Sequence, residues 1–412
     1  MEAVVLAGGL GTRLRSVVSD LPKCMAPIGA GNESRHTRAC PGDLTPEPFL
    51  SYVLDWLSHY DISHVILSVG YLKDAVMDWV SGRQFPFEVD FAVEDEPLGT
   101  GGAIRYALSK CRERKVIVVN GDTFFPVDLD AIPFDSPVTV ALKPMKDFDR
   151  YGAVTVTPDL FGSLNQSVQI LAFKEKAPVR EGLINGGVYA LNGLDLSSFP
   201  EKFSFEKDVL EPLSAKGVVG GWVSDRYFLD IGVPEDYARA QTELPQYRAV
   251  KDFSSRIMAV DADTLLLDRD GTLNVRIVGD YVRRPEQLVM LPGILEEMPL
   301  WAGKFRHIII VTNQRGVGRG LMTDEDLASV HRHLLSLVQA TGGRIDAILT
   351  CTAVSDDDPR RKPNPGMYRE ARMLFPDIRK AVMAGDGECD RVFAANAGID
   401  FIPVSCNSVV IN

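Results

Sequence analysis

Short apolar, β-branched runs alternate with longer stretches of helical periodicity along most of the chain. The runs at 3–6, 64–68, 116–119, 138–142, 265–267, 307–311, 347–350 and 381–383 each read as a buried strand. Strands that alternate with helices predict an α/β fold with parallel sheets. Several runs end in glycine-rich or polar loops, the place where open α/β sheets hold ligands. One helix is well marked. Thr323 is its N-cap, Leu327, Val330, Leu334, Leu337 and Val338 form its apolar face, and Gly342-Gly343 stop it. The stretch 29–48 has three prolines and little periodicity, and reads as an exposed loop carrying Arg35, His36 and Arg38.

A chain of 412 residues suits two cores better than one. A new strand begins near Asp263, and the preceding stretch has mixed polarity around Pro245. These features predict domains at 1–245 and 263–412 joined by a linker at 246–262. The net charge of −12 argues against a nucleic-acid partner but not against small anionic substrates, whose local cations decide binding. No apolar run approaches the roughly 20 residues of a membrane span, so no membrane association is expected. Six scattered cysteines with no CxxC pair, and no leader-like N-terminus, point to a reducing cytoplasm.

Two motif sets carry chemistry. The first opens with Gly8-Gly9-Leu10-Gly11-Thr12-Arg13 behind a strand, then Pro22-Lys23. Glycines there let bare backbone N–H groups approach a triphosphate, and Arg13 and Lys23 can neutralise a departing pyrophosphate. No Gly-Lys-Ser/Thr follows, so this is not a Walker loop, and Leu14 stands at the third glycine position of the dinucleotide motif. The set continues with Glu96-Pro97-Leu98-Gly99-Thr100-Gly101-Gly102, Asn120-Gly121-Asp122, Glu175-Lys176, Asn185-Gly186-Gly187 and Asp230-Ile231-Gly232. The second set is Asp268-Arg269-Asp270-Gly271-Thr272, Thr312-Asn313-Gln314, Arg361-Lys362-Pro363 and Gly385-Asp386 with Asp390. One carboxylate of such a pair can attack phosphorus while the other protonates the leaving oxygen.

In order and spacing, the first set resembles the sugar-1-phosphate nucleotidyltransferases over roughly 1–245. The likeness is strongest to the heptose 1-phosphate guanylyltransferases, through GTRLRSVVSDLPK and YFLDIGVPEDYARAQ. The second set resembles the haloacid dehalogenase phosphatases, and within them the heptose-1,7-bisphosphate 7-phosphatases and their histidinol-phosphatase relatives, through DRDGTLN, TNQRGVGRG and RKPNPGM. The implied fold is a Rossmann-like nucleotidyltransferase domain followed by a capless Rossmannoid phosphatase domain.

The first resemblance assigns Mg²⁺ to Asp122 and Asp230, and the triphosphate to Lys23, Arg13 and the loop of Gly8, Gly9, Gly11 and Thr12. It gives the nucleoside to Gly99, Thr100 and Gly101, and the sugar phosphate to Glu175, Lys176 and Asn185. The second makes Asp268 the nucleophile and Asp270 the acid/base, with Thr312, Asn313, Arg361 and Lys362 on phosphate. Asp268, the Asp270 carbonyl and Asp386 then take Mg²⁺, and Asp390 orients this shell. Cys24 stands where proline is usual in the first family. A structural zinc is usual in the second, but here Cys351 stands alone, Ala353 replaces a histidine, and Asp357 and Pro359 replace two cysteines, so no zinc is expected. The acidic run Asp356-Asp357-Asp358 reads as a solvated turn, and His331 and His333 as surface residues.

The implied function is a bifunctional enzyme of GDP-heptose synthesis acting on GTP and sugar phosphates. One alternative is another sugar-1-phosphate nucleotidyltransferase, such as one for mannose 1-phosphate, fused to a histidinol-phosphate-type phosphatase. A non-enzymatic alternative is a sugar-nucleotide sensor or scaffold.

Overall fold

The computed structural model describes residues 1–9, 14, 17, 18, 20–29, 46–157 and 164–404. Among these, residues up to Gln241 form one compact unit and those from Thr242 onward a second.

The first unit is built on a nine-stranded mixed sheet. Its parallel half runs Glu88–Val93, His64–Val69, Glu2–Leu6, Lys115–Asn120, with Val4 facing Ile66 on one side and Val118 on the other. The three inner strands are buried on both faces, which is why they read as unbroken apolar runs, whereas the edge strand Glu88–Val93 is partly exposed and alternates. Beyond Lys115–Asn120 the sheet turns antiparallel through Val179–Asn192, and Val138–Phe148 pairs next to it. Val219–Val223, Gln166–Lys176 and Gly152–Val156 complete the order. The run at 138–142 is therefore only the buried beginning of an eleven-residue strand, whose far half is partly exposed and loses the apolar signal.

The second unit is a five-stranded, all-parallel sheet in the order Ala347–Cys351, His307–Asn313, Thr264–Leu267, Ala381–Gly385, Asp400–Pro403. The helix after Thr323 spans Asp324–Ala340. The Thr323 hydroxyl accepts from the Asp326 backbone N–H, and the Asp326 carboxylate accepts from the Thr323 N–H in return. Leu327, Val330, Leu334 and Val338 are buried, as their spacing requires.

The expected linker takes a different form, since 246–259 belong to a helix running Pro234–Ala259 with Pro245 inside it. Val250, Phe253 and Ile257 recur at helical spacing and are fully buried in the second core. Their burial outweighs the one backbone hydrogen bond that an internal proline removes. At the ends of the 29–48 stretch, Glu47–Pro48 pairs with Pro27–Ile28 in a two-stranded ribbon. Arg35, His36 and Arg38 lie outside the described residues. No helix among the described residues is long and apolar enough to cross a membrane.

Candidate functional sites

In the first unit, the parallel strands Glu2–Leu6 and Lys115–Asn120 end side by side and deliver two loops to one edge. Gly121 must pass so close to the Leu6 carbonyl that an added Cβ would lie 2.7 Å from it, so glycine is required there. The next residue is Asp122. A small ribbon pairs Asp230 with Thr123, and the Ile231 N–H donates to the Asp122 carbonyl, which brings the two carboxylates together. Lys23 opens a 3₁₀ turn at Lys23–Met25 and places Nζ 2.6 Å from Asp122 and 3.5 Å from Asp230. Burial and the neighbouring Asp122 charge raise the Asp230 carboxyl, and Lys23 opposes them. Two such anions side by side call for a cation, and all-oxygen donors suit a hard divalent ion.

Beside this pair lies a cleft of about 370 Å³, lined by Gly8, Gly9, Lys23, Gly99, Thr100 and Asp122 among others. It falls in the size range of small-molecule sites. Gly11, Thr12 and Arg13 lie outside the described residues. The glycines at 99–102 have a reason that the sequence did not show. Gly99 has φ +72°, and an added Cβ there would lie 2.6 Å from the Phe203 carbonyl. A Cβ on Gly101 would enter the Phe203 ring, and one on Gly102 would lie 2.5 Å from the Glu201 carbonyl. Packing against 201–203 therefore demands these glycines. Thr100 ties the same segment, donating to Glu206 at 2.7 Å and accepting from the Phe205 N–H. Gly99→Ala is expected to weaken nucleotide binding about tenfold by distorting this wall, since a strained φ costs of order 1–3 kcal/mol. Nucleotide KM against phosphatase rate, measured on the same protein, checks it.

The expected sugar-phosphate residues are only partly gathered. Asn185 is occupied within its own strand, donating to the Tyr189 hydroxyl and accepting from the Gly187 N–H. Lys176 is exposed at the end of Gln166–Lys176, and the side chain of Glu175 lies outside the described residues. Tyr151, which sequence reasoning missed, donates to Asp230 at 3.3 Å, and its hydroxyl pKa is raised by burial and by that carboxylate.

In the second unit, three parallel strands end together. Thr264–Leu267 delivers Asp268, His307–Asn313 carries Thr312 and Asn313, and Ala381–Gly385 delivers Asp386. Lys362 is buried and bridges Asp268 at 2.7 Å and Asp390 at 2.6 Å. Burial pushes the Asp268 carboxyl up to about 7, and the adjacent Lys362 charge opposes it. Asp390 also accepts from the Gly387 N–H, so it anchors Lys362 and the loop after Asp386 at once. Oxygens of Asp268, Asp386 and Asp390 lie within 4.8 Å of one another. Gly271 has φ +91°, and a Cβ there would collide with the Asp386 carboxylate. The loop is thus shaped to bring that carboxylate against the DxD segment, and its donor set suits Mg²⁺.

The Asp270 carboxylate turns away from this cluster. It accepts from Arg269 at 2.8 and 3.0 Å, from Asn274 at 2.9 Å and from Gln314 at 2.8 Å. Burial acts against ionisation, but Arg269 and these donors outweigh it and hold the Asp270 carboxyl below its usual range. Asn313 is not turned to a ligand. Its side chain donates to the Lys362 carbonyl and accepts from the Lys362 N–H, fixing the backbone of the buried lysine. Thr312 is buried and accepts from Gln314 at 2.9 Å. Arg361 and Arg315 converge on Asp356, and Arg361 Nη1 and Arg315 Nε are buried with no protein partner. Cys351 is buried with its thiol toward Asp358, and Asn364 ties the same turn by donating to the Asp356 and Asp358 carbonyls.

His331 corrects the sequence reading. It is half-buried, and its Nε2 lies 3.0 Å from Arg269 Nη1, so the neutral ring accepts from an arginine that is itself wholly buried. Burial first, then the Arg269 charge, push the imidazole down to about 4. A histidine depressed in the fold stabilises it above its unfolded pKa of about 6.5, and that contribution is lost as pH falls toward 4. The second unit is therefore expected to lose about 2 kcal/mol between pH 7.5 and 5 through this group. His331→Gln, which keeps an acceptor, should flatten that dependence in urea unfolding at the two pH values.

Comparison with known proteins follows the same division. Residues 2–247 match the family described as nucleotidyl transferase, and residues 264–404 the one described as polynucleotide kinase 3 phosphatase. The chain is 44% identical over 254 residues to D-glycero-alpha-D-manno-heptose 1-phosphate guanylyltransferase of Aneurinibacillus thermoaerophilus, covering 60% of this chain and 100% of that one. It is 38% identical over 138 residues to D-glycero-alpha-D-manno-heptose-1,7-bisphosphate 7-phosphatase of Mycobacterium bovis, covering 32% of this chain and 71% of that one. A crystal structure of HddC from Yersinia pseudotuberculosis complexed with GMP-PN is similar at 35% identity and a TM-score of 0.49, covering 58% of this chain and 97% of that one. The chain belongs to the nucleotidyl transferase family, and its residues 264–404 to the haloacid dehalogenase-like phosphatases.

Proposed function

We propose that the chain carries out two consecutive steps of GDP-heptose synthesis. The second unit removes the 7-phosphate of D-glycero-D-manno-heptose 1,7-bisphosphate. The first transfers GMP from GTP to the resulting heptose 1-phosphate and releases pyrophosphate. One observation carries this reading: each half has a carboxylate–lysine constellation, and relatives matched over 100% and 71% of their own lengths bear the names of these two steps.

In the phosphatase half, an Asp268 oxygen attacks phosphorus to form an acyl phosphate, and the sugar oxygen leaves with a proton from Asp270. Water then attacks the acyl phosphate, gives its proton back to Asp270, and frees Asp268 and phosphate. Asp270 is held ionised by Arg269, ready for the second half of this cycle. A phosphate dianion placed beside it raises its pKa toward the acid role. Lys362 grips the transferring phosphoryl group, and the unpartnered N–H groups of Arg361 and Arg315 offer a seat for the distal phosphate.

In the transferase half, the sugar phosphate oxygen is already a nucleophile, so the work is in-line alignment and charge stabilisation by Lys23 and the glycine-lined cleft. Asp122 and Asp230 in one unit, and Asp268, Asp386 and the Asp270 carbonyl in the other, would hold Mg²⁺, which neutralises phosphoryl charge when bound. Zinc has no part in this reading, and a cytoplasmic setting fits nucleotide and sugar phosphate substrates.

Separate assays test the two assignments. Phosphate release is followed on a panel of sugar bisphosphates and histidinol phosphate, and pyrophosphate release on sugar 1-phosphates with each NTP. The expected result is the highest kcat/KM for the heptose bisphosphate and for heptose 1-phosphate with GTP. Preference for histidinol phosphate or mannose 1-phosphate would overturn the substrate assignment while leaving both chemistries in place.

A further inference from the structure

The phosphatase centre contains a cation of its own that the reaction, as set out above, does not use. Arg276 follows the DxD loop by six residues, and its guanidinium reaches back across it. Nη2 donates to the Asp270 carbonyl at 3.1 Å and to Asp386 Oδ1 at 2.8 Å, and Nε lies 3.3 Å from the same carbonyl. These two oxygens come from separate segments, and both belong to the set assigned above to the divalent ion. The two groups they serve differ in accessibility. Asp386 is 9% exposed and lies beside Gly271, whereas the Arg276 side chain is 41% exposed and borders solvent.

We propose that Arg276 is a built-in competitor of the divalent cation at this centre. It rests on the phosphatase reading above and extends it to the conditions under which the site loads. A hard ion that bonds the Asp270 carbonyl and Asp386 shares both groups with the guanidinium, and two cations held on the same oxygens repel each other, so the ion works against those hydrogen bonds. The cation therefore binds in competition with three charge-assisted hydrogen bonds. In return, Arg276 screens a pocket that gathers Asp268, Asp386 and Asp390 within 4.8 Å, where Lys362 is the other cation set among them. The displaced guanidinium stays tethered at the mouth of the site, where an incoming phosphate is the next anion available to it. Cation and phosphate then bind cooperatively, since the first to arrive releases a partner for the second.

The test is a Mn²⁺ titration of the full chain carrying Asp122→Ala and Asp230→Ala, which silences the first unit, with free Mn²⁺ followed by electron paramagnetic resonance. Arg276→Gln should bind Mn²⁺ about tenfold more tightly than the parent, the order expected when competing charge-assisted bonds are removed. The cooperative gain in Mn²⁺ affinity on adding inorganic phosphate should shrink in the same variant. Arg276→Lys, which keeps the charge but loses the fork, should fall between the two and decides the matter if the Gln variant does not fold. Equal or weaker Mn²⁺ binding in the folded variants overturns the inference. Asp386→Asn separates this from the underlying reading. Loss of binding there, with unchanged affinity in Arg276→Gln, overturns the competitor role alone, whereas retained binding overturns the metal assignment and the inference together.

Discussion

Asp268→Asn is expected to abolish phosphate release from the sugar bisphosphate, a fall of at least about 10⁴-fold in kcat, the scale on which losing a nucleophile acts. The amide is close in shape to the carboxylate, so packing around the buried site changes little. Asp268 is 6% exposed and touches Lys362 at 2.7 Å. What disappears is the anionic oxygen proposed to form the acyl phosphate. Nucleotidyl transfer by the same protein should be unchanged, because the Asp122–Asp230 pair belongs to the other compact unit. Quenched-flow assays with radiolabelled bisphosphate check both statements, and trapping of a labelled acyl phosphate on the parent but not on the variant identifies the role. A variant that still releases phosphate at near the parent rate would remove Asp268 from the chemistry.

The mirror experiment has the second largest effect. Asp122→Ala removes the carboxylate that lies 2.6 Å from Lys23 and is brought beside Asp230 by the small ribbon. Lys23 is then left with a single carboxylate at 3.5 Å, and the cation seat is reduced to one anion. Pyrophosphate release should fall by about 10³-fold, the loss typical of removing a group that stabilises transition-state charge. Phosphate release from the bisphosphate should stay within twofold of the parent. Asp122→Asn separates charge from packing. An Asn variant as slow as the Ala variant points to the charge, and recovery in the Asn variant would mean that the carboxylate serves mainly to hold the turn.

The inner parallel strands were legible because burial on both faces leaves an unbroken apolar run, as at Val4 and Ile309, whereas the partly exposed edge strands Glu88–Val93 and Asp400–Pro403 carry no such run and were missed. The loops that follow them were legible because phosphate chemistry calls for clustered carboxylates and a lysine. The antiparallel half of the first sheet was much harder to read. Strands such as Val138–Phe148 and Val179–Asn192 pass from buried to partly exposed ground, so no single period describes them. The helix across Pro245 was hidden because proline normally ends a helix. Val250, Phe253 and Ile257 did carry the helical spacing, and it outweighs the proline signal.

Site residues divide in the same way. Lys362, Asp268, Asp386 and Asp390 converge as their motifs suggest. Asn313, expected on phosphate, instead holds the Lys362 backbone, a contact across 49 positions that no local pattern encodes. His331 looked like one of two surface histidines two residues apart. Its partner Arg269 lies 62 positions away between the paired aspartates, where nothing in the helix's own sequence points to it. Arg276 was equally silent, since its meaning comes from the two oxygens it joins.

One measurement bears most directly on the proposed sequence of steps. The protein is incubated with D-glycero-D-manno-heptose 1,7-bisphosphate and each NTP in turn, and products are resolved by mass. The account predicts that GTP gives GDP-heptose with one phosphate and one pyrophosphate released per sugar, and that heptose 1-phosphate accumulates when NTP is left out. A nucleotide-linked sugar that keeps its 7-phosphate, loss of the 1-phosphate instead, or a product formed preferentially from another NTP would contradict it.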